Sequence, residues 1–124
     1  MMLQYSDGRA AARRLLQMRY DDVARVVARG LANLIAEARG NVVTTTARRA
    51  LKYGGVDTTV PMALMLANYV LRRLAEKGAI EVDGQRPRKR RTRYILRRGT
   101  QLWEELKAGN IEVVVRLAAD DLAI

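Results

Sequence analysis

The sequence predicts a mainly α-helical α+β domain with one small β-hairpin. Three observations carry that expectation. Apolar residues recur at helical spacing over 21–39 and again over 60–77. A short helix and a longer one are joined through Gly54-Gly55, the signature of a helix-turn-helix. Two β-forming segments, "AIEV" and "TRYILRR", flank the turn-forming, basic "DGQRPRKR".

In "DDVARVVARGLANLIAEARG", Val23, Val26, Val27, Leu31, Leu34 and Ile35 form one stripe. Asp21 or Asp22 is placed to cap its start, and Gly40 stands where a C′ glycine belongs. Gly30 inside this helix costs about 1 kcal/mol relative to alanine, so it is expected to mark a close crossing with another helix. The preceding "SDGRAAARRLLQMRY" also reads as helical from Arg9; it either runs on into this helix or bends near Tyr20. "NVV" is a possible short strand. In "TTTARRALKYGG" a threonine caps a short helix that buries Ala47, Ala50 and Leu51 and stops at the double glycine. Thr58 or Thr59 then caps "VPMALMLANYVLRRLAEKG", with Pro61 in the first turn, Gly78 closing the helix, and Val60, Leu64, Ala67, Leu71 and Leu74 facing the core. After the hairpin, "TQLWEELKAG" opens with a threonine cap, buries Leu102 and Leu106 with Trp103 beside them, and stops at Gly109.

At 124 residues the chain fits one domain, and its net charge of +10 points to a polyanionic partner. The charge is concentrated. Residues 83–98 hold eight arginines and lysines against one aspartate, a net +7, whereas residues 1–39 carry a dispersed +3. From Ile111 onward the chain is apolar with a net charge of −2, which suits a terminal element packed on the body. Cysteine and histidine are absent, so disulfides, thiolate nucleophiles, imidazole bases and ordinary zinc ligand sets are excluded. No glycine-rich phosphate loop followed by Lys-Ser or Lys-Thr occurs, and the acidic pairs Asp21-Asp22, Glu104-Glu105 and Asp120-Asp121 are explained by capping and helix dipoles. The chain is therefore not expected to be an enzyme or to use a cofactor or metal. No apolar run reaches the roughly 18 residues of a membrane span, and the amino terminus lacks the apolar core of a signal peptide. A cytoplasmic, nucleoid-associated location is expected. The excess of arginine over lysine and the scarcity of thermolabile residues hint at an archaeal or thermophilic source or a GC-rich genome.

The order of elements, and above all "LRRLAEKGAIEVDGQRPRKRRTRYILRRGTQLWEEL", resembles the winged helix-turn-helix superfamily over residues 21–108. In MarR-like and ArsR-like regulators the recognition helix likewise runs through a leucine-rich "L..L...G.I" stretch into a basic wing, a strand and a closing helix. The resemblance implies a winged helix-turn-helix with an extra N-terminal helix (residues 1–20 as extension) and a C-terminal helix, followed by a tail at 109–124. It makes 59–77 the recognition helix and 83–91 the wing. It also implies a homodimer built from the outer helices, about 9–39 and 100–108.

Candidate contacts follow from the chemistry. The wing residues Arg86, Arg88, Lys89, Arg90, Arg91 and Arg93 suit phosphates, because guanidinium groups bind them bidentately and release counterions. Thr44, Thr45, Arg48, Arg49 and Lys52 at the short helix suit the backbone. On the longer helix Asn68, Tyr69 and Arg72 are the polar groups able to reach nucleic acid, a poor set for reading base edges. Met62, Met65 and Leu66 make either a wider core or a partner surface. Double-stranded DNA is the expected partner, in a transcriptional regulator or nucleoid-associated factor. The rivals are an RNA-binding winged-helix protein of the ribosome and a protein-interaction module.

Overall fold

The computed structural model describes residues 5–56, 60–84 and 92–119, with side chains described from Arg19 onward. Among the described residues there are five helices and one three-stranded antiparallel sheet. Helix α1 (Tyr5–Glu37) is followed by β1 (Val42–Thr45), α2 (Ala47–Tyr53), α3 (Pro61–Glu76), β2 (Glu81–Val82), β3 (Tyr94–Arg97), α4 (Gln101–Lys107) and α5 (Glu112–Leu117).

α1 is one helix of 33 residues, roughly 50 Å long at 1.5 Å per residue. It runs unbroken through Tyr20, so Asp21 and Asp22 lie inside it and neither caps its start. Asp22 instead pairs with Arg25 one turn on, at 3.4 Å. Tyr20, Ala24, Val27, Ala28, Leu31, Leu34 and Ile35 are buried, while Val23 and Val26 are partly buried at the edge of the stripe. The helix ends at Glu37, earlier than Gly40 would have it. The Ala38 N–H closes the last turn onto the Ile35 carbonyl, and Gly40 does not adopt a positive φ. The Gly40 carbonyl is used elsewhere, accepting from Arg98 Nη2 at 3.1 Å.

Gly30 marks the crossing of α1 with α2. A Cβ there would stand 2.0 Å from the Ala50 carbonyl oxygen, and one at Gly54 would stand 2.3 Å from the Val26 carbonyl oxygen. Two glycines, one on each side, thus let the two backbones touch. α2 is capped by Thr46, whose hydroxyl accepts from the Arg49 N–H, and buries Ala47, Ala50 and Leu51 as its sequence requires.

α3 begins differently from expectation. Its N-cap is Val60, which offers no side-chain cap and is exposed, so it is not part of the core stripe. Pro61 at the first helical position needs no N–H partner and favours the extended conformation of Val60. Thr58 and Thr59 lie outside the described residues. The core face of α3 is Ala67, Val70, Leu71 and Leu74, with Leu64 half-buried. At the other end Gly78 takes φ +77°, the left-handed conformation that closes the helix.

The sheet order is β1-β3-β2. β3 pairs with β1 in the register Val43 to Leu96 and Thr45 to Tyr94, and with β2 in the register Val82 to Tyr94. Alternation sends Val43, Thr45, Tyr94 and Leu96 inward. α4 is capped by Thr100, whose hydroxyl accepts from the Trp103 N–H, and its Leu102, Trp103 and Leu106 are fully buried. α5 adds Val113 and Val114 to the same core and packs on α1, α3 and α4. Arg25 clasps Glu112 with both Nε (2.9 Å) and Nη2 (3.4 Å), and the buried Tyr20 hydroxyl donates to the Ala118 carbonyl. These two contacts tie the end of the described chain to the middle of α1.

Candidate nucleic-acid interface

The basic segment enters and leaves through a fixed gate. β2 and β3 are antiparallel partners, and beyond their last pair the Asp83 N–H donates to the Arg93 carbonyl at 2.8 Å. Whatever the intervening residues do, their two ends are held one strand spacing apart. Across the same pair Arg97 hydrogen-bonds Glu81 with Nε and Nη2. That contact holds the Glu81 carboxyl below its ordinary range and raises Arg97 further. Arg86, Arg88, Lys89, Arg90 and Arg91 lie outside the described residues; Arg93 is exposed at the foot of the loop.

The local +7 overstates the cation supply. Arg97 is committed to Glu81, and Arg98 lies over the Trp103 ring at 5.4 Å while it donates to Gly40. Both serve the scaffold.

α3 meets this gate through Arg72. Burial pushes the Tyr94 phenol above its usual value; the Arg72 charge, with hydrogen bonds from Thr92 and Arg72, works against that push. The exposed Arg72 on α3 and the exposed Thr92 at the foot of the loop therefore meet at one buried tyrosine. Tyr69, one turn earlier, is 37% exposed and meets the buried Tyr20 edge to face, with ring centroids 5.5 Å apart. Asn68 is half-buried.

α2 supplies a second group of cations. Arg48, Arg49 and Lys52 are exposed, and with Thr46 and Tyr53 they line a shallow open depression of about 550 Å³. The Arg49 guanidinium lies 4.9 Å above the Tyr53 ring, so an aromatic face already orients it. Thr44 is exposed on β1. Thr45 is not available: the strand alternation turns it inward, it is 3% exposed, and its hydroxyl donates to the Thr46 carbonyl. Thr46, which sequence reasoning did not single out among the three threonines, lines this surface and caps the helix.

Met62 and Met65 are 45% and 58% exposed, so α1 does not cover them; Leu66 is half-buried against the core and belongs to its margin. Sequence reasoning missed Tyr20 and Tyr94, which hold Tyr69 and Arg72 in place. Nothing local signals either, because both partners are distant in the chain. Among the described residues, no group of three or more histidines, cysteines, aspartates or glutamates could hold a metal ion, and no helix is long and apolar enough to cross a membrane. No family model, curated protein or solved structure matches the chain.

Proposed function

We propose that this chain is a winged helix-turn-helix protein that binds double-stranded DNA mainly through its phosphates, as a nucleoid-associated factor or regulator of modest sequence preference. The carrying observation is the insertion of the basic segment between two paired strands, its ends fixed by the Asp83–Arg93 hydrogen bond. A basic run free at one end would lose more entropy on binding than one whose two ends are held together. The order α1-β1-α2-α3-β2-β3, with sheet order β1-β3-β2, supports the winged-helix reading. In it α3 is the recognition helix and the β2–β3 connection the wing. The shortage of hydrogen-bonding groups on α3 supports low base specificity. α4 is a poor dimer element, since Leu102, Trp103 and Leu106 are spent on its own core.

The reading is tested by measuring binding of the intact protein to duplex DNA, single-stranded DNA and folded RNA of matched length over a salt series. Duplex binding whose log affinity falls linearly with log salt is expected. Failure to bind any of the three at low salt would sink the proposal, and a clear preference for folded RNA would move the assignment to RNA.

A further inference from the structure

Along α3, Met62, Met65, Tyr69 and Arg72 are spaced three, four and three residues apart and fall on one exposed stripe. Three apolar or aromatic side chains thus run directly to an arginine at the foot of the basic loop. Tyr69 is held by its edge-to-face contact with Tyr20, itself fixed through the Ala118 carbonyl. A tyrosine so oriented loses little rotamer freedom when something lies against it. At about 200 Å² for a whole large side chain, the exposures of Met62, Met65 and Tyr69 amount to roughly 300 Å². That is well short of the ~800 Å² per partner of a stable protein interface, and Arg72 interrupts it. The area suits something smaller, flat and polarisable, attached to negative charge.

We infer that the Met62–Met65–Tyr69 stripe receives unpaired nucleobases of a strand whose phosphate is held by Arg72 at the end of the same stripe. The inference rests on the nucleic-acid reading above and sharpens it. Base contact is by stacking and apolar packing, which every base supports, in place of hydrogen bonds to base edges, which α3 is not equipped to make. The preferred ligand is then DNA containing unpaired bases, such as a bubble, bulge or junction, over an uninterrupted duplex of equal length and charge.

The test measures affinities for a perfect duplex and for the same duplex carrying a short central mismatch bubble, with native protein, Tyr69→Ala, Tyr69→Trp and Met65→Ser. Native protein should prefer the bubble by about tenfold, the order expected of one good base–aromatic contact. Tyr69→Trp should keep the preference, whereas Tyr69→Ala and Met65→Ser should bring it close to unity, with the salt dependence of Met65→Ser on perfect duplex unchanged. Met65 is the more exposed side chain, so its variant reports binding even if Tyr69→Ala weakens the fold. Equal affinity of native protein for both DNAs overturns the inference while leaving phosphate binding intact. A Met65→Ser variant that keeps the bubble preference but changes from dimer to monomer in sedimentation overturns it too, by making the stripe a self-contact. Absence of any salt-dependent binding removes this inference and the proposed function together.

Discussion

Replacing Gly30 with alanine should destabilise the protein, although alanine is the better helix former. In an exposed helix interior the exchange gains about 1 kcal/mol. Here the added Cβ would stand 2.0 Å from the Ala50 carbonyl oxygen, 2.9 Å from its carbon and 3.1 Å from the Gly54 nitrogen. All three are backbone atoms, so no side chain can swing away. Restoring ordinary contact at about 3.4 Å requires α1 and α2 to part by about 1.4 Å. Parting them loosens Leu31, Ala50 and Leu51, each at most 1% exposed, and disturbs the Gly54 N–H to Ala50 carbonyl bond that ends α2. Overpacking of this kind costs about 1–3 kcal/mol and sometimes more, and the loosened contacts add to it. After the propensity gain is subtracted, a net loss of about 2 kcal/mol is expected, or roughly 6–12 °C in Tm for a chain of this size. Urea denaturation followed by circular dichroism measures it. Ala36→Gly, at an exposed position of the same helix, is the control and should cost about 1 kcal/mol. A Gly30→Ala variant as stable as the native protein would refute the close crossing.

Thr46→Ala and Thr100→Ala each remove a hydroxyl that accepts a helix N–H, and each should lower stability by about 1 kcal/mol in the same denaturation assay. Glu81 is held below the ordinary carboxylate value of 4.5 chiefly by its hydrogen bond from Arg97. A lowered folded-state pKa stabilises the fold above the unfolded value, and that contribution is lost as pH falls through the folded value. Native protein should therefore exceed Glu81→Gln in urea midpoint near neutrality, and the gap should close as pH drops below 4.5; a gap independent of pH would contradict the pairing.

Local chemistry made some of the element ends legible. Thr46, Thr100, Gly78 and Gly109 act as their positions require, because a hydroxyl at an N-cap or a glycine at φ near +80° answers to neighbours within one turn. The close crossing was also legible, since a glycine inside an otherwise strong helix needs a reason. What could not be read were the decisions made at long range. Asp21-Asp22 resembles a helix start, yet Tyr20 and Ala24 bury on the same face as Val27 and carry the helix through. Thr45 looks like a phosphate ligand until pairing with Tyr94 across the sheet fixes which way it points. Arg97 and Arg98 count as wing charge in the sequence, but Glu81, Gly40 and Trp103 claim them in the fold. The candidate interface was visible as composition; the commitment of Arg97 and Arg98 to the scaffold was not.

The central claim is that the arginines before β3 grip phosphates, and the direct measurement is the salt dependence of duplex binding for native protein and for a variant with Arg88, Lys89, Arg90 and Arg91 all replaced by alanine. Each phosphate contact contributes about 0.9 to the slope of log affinity against log salt, so the native slope should be steeper than the variant's by as much as roughly 3.6. Slopes and affinities that coincide would contradict the account.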